Sequence, residues 1–196
     1  WTVNLNISPL PTDGQTGYIL YQLANGSIFH GSRRGNGVPL IRTDNNGVSW
    51  VDKSLPEMTV IYNVIQTGTG AVLAGGATTN GGAIWRSINN GDNWTKVLTG
   101  TVQTSIQTFA IAQNGAIVAG NNYGFLFRST NGGTSWTANG HLSTDFTDEA
   151  ANQIVRLSDG NLYLAAGSTF GGSCYLYHST DNGLTWQLRH KFSGQG

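Results

Sequence analysis

The sequence writes one nine-residue phrase four times: RTDNNGVSW at 42–50, RSINNGDNW at 86–94, RSTNGGTSW at 128–136 and HSTDNGLTW at 178–186. Aligned on the closing tryptophan, the phrase reads Ser/Thr, any, Asp/Asn, any, Gly, any, Ser/Thr/Asn, Trp. Its members are Thr43, Asn45, Gly47, Ser49 and Trp50; Ser87, Asn89, Gly91, Asn93 and Trp94; Ser129, Asn131, Gly133, Ser135 and Trp136; and Ser179, Asp181, Gly183, Thr185 and Trp186. Each position has a physical use. Asp or Asn accepts hydrogen bonds from the backbone of its own turn. Gly takes a positive φ at little steric cost. Trp buries a large indole that can clamp one hairpin against its neighbour.

A second marker keeps the same period. The turns ANGS, GTGA, QNGA and SDGN place Gly26, Gly70, Gly115 and Gly160 at intervals of 44, 45 and 45. Self-similarity at a period of 40–50 residues is the mark of a repeat architecture. Between the markers, TVIYNVIQ, TSIQTFAIA and NQIVRL alternate with period two and hold β-branched and aromatic residues, the pattern of strands. Asn25-Gly26, Asn114-Gly115 and Asp159-Gly160 are hairpin turn pairs. No segment shows a capped helical period. One unit therefore predicts four strands, with a hairpin after the first, a loop after the second, the nine-residue turn after the third and a fourth strand beginning at the tryptophan. That is the size of one β-propeller blade.

The nine-residue phrase resembles the Asp-box, or bacterial neuraminidase repeat, found in sialidases, xyloglucan-cleaving glycosidases, sortilin-type receptors and a photosystem assembly factor. The resemblance runs over nearly the whole chain. It implies an all-β propeller of four-stranded antiparallel blades with the boxes between third and fourth strands. Three copies depart from the family by carrying Asn at the aspartate position (Asn45, Asn89, Asn131); in the first, Asp44 sits one place early. An amide still caps the turn. The boxes hold too few carboxylates for calcium, so they are expected to be structural, and no metal or cofactor is expected.

The expected organisation is a single domain over 1–196, with units at roughly 1–49, 50–93, 94–135 and 136–185 and a terminal strand at 186–196. WTVNLN at the start resembles WTKVLT after the second box, so Trp1 is expected to open the fourth strand of a further blade. The count is then about four blades plus an extra strand. Three arrangements satisfy it: a segment of a larger propeller, a small closed ring, or a ring completed by several copies.

Ten basic and ten acidic residues balance, and charged residues are only 10% of the chain. With no basic surplus, nucleic acid is not an expected partner. No apolar run reaches the length of a membrane-spanning helix. The single cysteine, Cys174, excludes an internal disulfide. Low charge with abundant Thr, Asn and Gly fits a bacterial secreted or cell-surface protein.

In the resembling families the boxes lie away from the active site, so function is expected on the opposite face, among second-to-third strand loops and inter-blade links. There Arg33, Arg34, Thr78, Thr79, Asn80, Asn121, Asn122, Tyr123, Phe170 and Tyr175 are candidate ligand contacts, since aromatic rings beside amides and arginines suit sugars. Arg42, Arg86 and Arg128 recur beside the boxes, with His178 in the fourth, and are expected to make local contacts rather than a carboxylate-binding triad. A glycosidase needs two carboxylates at a set separation; the candidates are Asp145, Asp148 and Glu149 in the longest link. The leading expectation is a non-catalytic binding or scaffold propeller that recognises a glycan or a protein. The alternative is a partial catalytic domain of a glycoside hydrolase of xyloglucanase or sialidase type.

Overall fold

The computed structural model describes residues 16–33, 39–55, 57–100, 104–142, 149–168 and 173–192. The expected strand at Trp1 lies outside them. The described residues form sixteen strands in four successive meanders, with no helix. The first holds β1 (Thr16–Gln22), β2 (Ile28–Arg33), β3 (Leu40–Thr43) and β4 (Val51–Asp52). The second holds β5 (Met58–Gln66), β6 (Val72–Thr78), β7 (Gly81–Ser87) and β8 (Thr95–Thr99). The third holds β9 (Ile106–Ile111), β10 (Ile117–Asn121), β11 (Phe125–Ser129) and β12 (Thr137–His141). The fourth holds β13 (Glu149–Arg156), β14 (Leu162–Ser168), β15 (Cys174–Ser179) and β16 (Gln187–Phe192). Every pairing is antiparallel, and one bridge, Arg33 with Val60, joins the first two meanders.

The meanders stack face to face in chain order. Their first strands pack in sequence, β1 on β5, β5 on β9 and β9 on β13. One apolar cluster fills each interface. Phe29, Leu40, Ile61 and Trp85 lie between the first two sheets, Leu73, Ile84, Ile106 and Phe109 between the next two, and Val118, Leu126, Leu164 and Tyr177 between the last two. Trp94, Trp136 and Trp186 each pack against the cluster their sheet shares with the preceding one. Trp50 belongs to none of these clusters, because no described sheet precedes the first.

The four nine-residue turns share one hydrogen-bond network. In the second, the Ser87 hydroxyl donates to Asn89 Oδ1 at 2.8 Å and accepts the Gly91 N–H at 2.8 Å, while Asn93 N–H donates to Asn89 Oδ1 at 2.9 Å. Thr43, Ser129 and Ser179 repeat the pattern with Asn45, Asn131 and Asp181. The turn needs two successive residues at positive φ, here Asn90 at 57° and Gly91 at 86°, which explains why Asn or Gly precedes each box glycine.

Each box also locks onto the sheet before it. A methyl group added to Gly91 would collide with the Phe29 ring, one on Gly133 would lie 2.7 Å from Leu73, and one on Gly183 would collide with Val118. Phe29, Leu73 and Val118 are equivalent positions on β2, β6 and β10. The recurring arginines fasten the same seam. Arg42 donates to the Asn90 carbonyl at 2.6 Å, Arg86 to Gly132 at 2.8 Å and Arg128 to Asn182 at 3.1 Å. The expected local contacts are thus contacts to the neighbouring box. Arg42 also pairs with Asp44 at 2.8 Å and Asp92 at 3.0 Å.

Candidate functional site

The end of the sheets opposite the boxes carries a feature that strand alternation alone does not announce. Each first strand contains a β-bulge at the same place in its unit. The register slips between Gly17 and Ile19, between Ile61 and Asn63, opposite Gly120/Asn121 so that Gln107 is skipped, and between Ala151 and Gln153. The extra residues are Tyr18, Tyr62, Gln107 and Asn152. A bulge turns its extra side chain out of the regular up-down order, which is why bulges often re-aim residues beside functional sites. Because β1, β5, β9 and β13 pack side by side, the four bulges bring one re-aimed residue from each sheet to the same end of the inner wall.

The first three members of this row are in contact. The rings of Tyr18 and Tyr62 lie 4.7 Å apart, tilted by 55°. Burial raises the Tyr62 hydroxyl above the ordinary tyrosine range, with Tyr18 adding to the rise. Arg33 and hydrogen bonds with Gln107 and Ser105 work against it. The Gln107 amide donates to Ser105 Oγ at 2.8 Å. Ser105 N–H in turn donates to Asn122 Oδ1 at 2.7 Å. Tyr18 is 40% exposed and Asn152 is exposed, so the row meets solvent.

The sequence-derived candidates divide by what their side chains do. Arg33 ends β2, exposed and within electrostatic reach of Tyr62. Asn122 braces Ser105, as above. Asn80 and Thr79 are exposed at the β6–β7 turn, and Tyr123 is half-buried at the β10–β11 turn. Thr78 turns inward, its hydroxyl donating to the Gly81 carbonyl at 2.9 Å. Asn121 is buried, and its Oδ1 accepts from Tyr123 and Phe125 N–H at 2.9 Å each. Tyr175 lies in the cluster between the third and fourth sheets, with the Lys191 ammonium 5.5 Å from its ring. Arg34, Phe170, Asp145 and Asp148 lie outside the described residues.

Glu149 is the first residue of β13 and is 2% exposed. Its Oε2 accepts the Tyr177 hydroxyl at 2.7 Å, while Oε1 has no partner among the described residues. Tyr177 is itself only 3% exposed, and burial followed by the Glu149 carboxylate drives its hydroxyl far above the ordinary range. Both residues of the pair are thus buried. The other described carboxylates serve turns and ion pairs: Asp52 caps Ser54, Asp159 caps Asn161, Glu57 pairs with Lys96, and Asp92 with Lys53. Among the described residues, no cluster of His, Cys, Asp and Glu could hold a metal ion. A groove on the box side, lined by Arg86, Ile88, Asn89 and Lys96, borders turn residues and holds no acid–base pair.

Sequence reasoning pointed to the loops at the end opposite the boxes and did not name the bulge row. A signal existed: Tyr18, Tyr62, Gln107 and Asn152 each stand eight residues before the hairpin glycines Gly26, Gly70, Gly115 and Gly160.

No protein family matches the chain by sequence, and no curated protein does. Solved structures do match. An ancestral GH74 enzyme superposes with a TM-score of 0.70 at 20% identity, over 88% of this chain and 25% of that one. The extracellular domain of a putative one component system from B. thetaiotaomicron superposes with a TM-score of 0.60 at 16% identity, over 88% of this chain and 29% of that one. YCF48 bound to D1 peptide superposes with a TM-score of 0.57 at 19% identity, over 94% and 55%. The chain thus spans well under two thirds of each. These likenesses establish the fold: an all-β chain of four-stranded antiparallel sheets forming part of a β-propeller.

Proposed function

We propose that the chain is a non-catalytic binding and scaffold segment of a secreted or cell-surface Asp-box β-propeller, which recognises a glycan or a protein through the end opposite the boxes. The observation that carries this reading is the sealing of Glu149 against Tyr177. A glycosidase needs two carboxyl groups that flank the scissile bond, and the one described member of the acidic link is in the core with a carboxylate oxygen engaged by Tyr177. Support for a binding role comes from the company the fold keeps: an extracellular domain and a peptide-bound protein. The second reading, a partial glycoside hydrolase domain, is favoured by the GH74 likeness. Assaying the chain against xyloglucan and sialyl conjugates, alongside a glycan and peptide array, separates the two. Binding without turnover supports the proposal; turnover abolished by Asp148→Asn overturns it.

The same reading covers the outer face of the fourth sheet with another box-bearing sheet. Tyr163 stands where Phe29, Leu73 and Val118 stand in their units, and no described box glycine lies against it. Among the described residues Gly47 meets only Trp50, at 4.0 Å. His178 replaces the seam arginine and stacks on Tyr163 at 4.6 Å, its Nε2 buried with no partner among the described residues. Val155, opposite Tyr163, and Phe192 add exposed apolar area to this face. Light scattering of the full chain with Tyr163→Asp checks this: loss of a ring-forming association, or of folding with adjoining blades, is expected, and an unchanged mass and melting temperature would refute it.

A further inference from the structure

We propose that the four bulged side chains, Tyr18, Tyr62, Gln107 and Asn152, form a pyranose-binding row at the inner wall of the sheets. The inference rests on the binding role above and names its site and ligand class. It starts from a contrast inside the repeat. At the boxes, where the task is structural, the four units use interchangeable residues: Thr or Ser, Asn or Asp, Gly, Trp. At the bulges the backbone geometry is repeated four times while the side chains are Tyr, Tyr, Gln and Asn. A bulge needed only for twist would not call for two aromatic rings and two amides.

The chemistry of these groups fits a sugar. The exposed Tyr18 ring, backed by Tyr62 at 4.7 Å, offers a flat apolar surface to the C–H face of a pyranose. The two tyrosines touch, so a ligand lies over Tyr18 rather than between them. Gln107 and Asn152 each carry both donors and an acceptor, which matches hydroxyls that are both. Gln107 is held by Ser105, and Ser105 by Asn122, so the amide is oriented before a ligand arrives. All four residues sit on strands, which position a site better than loops do. Arg33 lies within electrostatic reach of Tyr62; it would add an ion pair for a uronate and nothing for a neutral hexose.

The experiment is calorimetric titration of the full chain with neutral β-linked gluco-, xylo- and manno-oligosaccharides and with oligogalacturonate. Tyr18→Ala is expected to weaken binding about tenfold, equivalent to ~1.4 kcal/mol, while Tyr18→Phe keeps most of it. Asn152→Ala is expected to weaken binding several-fold, and Arg33→Ala to affect only the uronate. Tyr62 is half-buried, so Tyr62→Ala is read only beside its melting curve; Tyr18→Ala carries the test. Unchanged affinity in Tyr18→Ala and Asn152→Ala overturns the row while leaving a glycan-binding protein. Peptide binding with no sugar binding overturns the ligand class but not the binding role. Silence towards both overturns the row and the binding role together.

Discussion

Replacing Asp181 with Asn tests whether the one charged box is stronger than its three neutral copies. Asp181 accepts from the Ser179 hydroxyl at 2.8 Å, from Thr185 N–H at 2.9 Å, from Leu184 N–H at 3.1 Å and from the Thr185 hydroxyl at 2.6 Å. In the neutral boxes the last contact runs the other way: Asn45 and Asn131 donate through Nδ2 to Ser49 and Ser135, at 2.8 Å each. Asp181→Asn can adopt that arrangement by turning the Thr185 hydroxyl, so the number of bonds stays the same and only their charge is lost. A bond to a charged group contributes ~1.5–3 kcal/mol and a neutral one ~0.5–1.5; after discounting for solvent screening the variant should lose about 1 kcal/mol at pH 7. For a domain of this size that is ~2–4 °C in melting temperature. Burial pulls the Asp181 carboxyl upward, but the Thr185, Ser179 and Leu184 bonds outweigh it and hold the group below the usual carboxylate range. A depressed folded-state pKa stabilises above the unfolded value of ~3.9 and is lost as pH falls through the folded one. The gap between wild type and Asp181→Asn should therefore be full at pH 5–8 and close towards pH 3. Thermal melts at stepped pH measure it. A gap that persists unchanged at pH 3, or a variant as stable as wild type at pH 7, would refute the reasoning.

Three further perturbations probe the seams. Ser87→Ala removes a hydroxyl 1% exposed and orphans the buried Gly91 N–H, so urea denaturation should show a loss of ~1–3 kcal/mol, while an unchanged midpoint would deny the network its role. Gly91→Ala must displace the Phe29 ring, whereas Gly47→Ala meets only Trp50 at 4.0 Å; both carry the strain of positive φ, so the first should cost ~1–3 kcal/mol more than the second, and equal losses would contradict the seam. Trp136→Ala removes a half-buried indole that packs on Phe109 with 6.1 Å between ring centroids and donates to the Gly133 carbonyl at 3.2 Å. A loss of ~2–3 kcal/mol is expected, below a fully buried aromatic, with sugar affinity of the folded fraction unaltered.

What the sequence disclosed was local. A hairpin pair such as Asn114-Gly115, or a box such as Ser129 to Trp136, encodes its geometry within nine residues, because the bonds run from residue i to i+2 and i+4. What it concealed depended on partners far along the chain. Arg86 announced a local role, but its acceptor, the Gly132 carbonyl, is 46 residues away. The stretch TDFTDEA reads as a link that offers candidate catalytic carboxylates, yet Glu149 begins a strand and accepts the buried Tyr177 hydroxyl. Asn121 and Tyr175 sit in or beside loops that look functional, but one caps a turn and the other fills the core. The bulges were hidden for a different reason: one inserted residue shifts the phase of the alternation without abolishing it, so MTVIYNVIQ still reads as a plain strand and Tyr62 as an ordinary member of it.

The two ends of the sheets are thus built under opposite rules. At the box end each turn is closed by its own side chains and again by the preceding sheet, through an apolar side chain against the box glycine and an arginine on its carbonyl. With both the turn and the seam repeated unit by unit, stability accumulates as a sum over neighbours, as in other repeat arrays. At the opposite end the loops vary in length and the bulge residues run Tyr18, Tyr62, Gln107 and Asn152. A frame of this kind occurs in an extracellular domain, a GH74 enzyme and a peptide-bound protein among the structures the chain resembles, and the proposed sugar row puts the first test of binding at Tyr18 rather than at the conspicuous tryptophans.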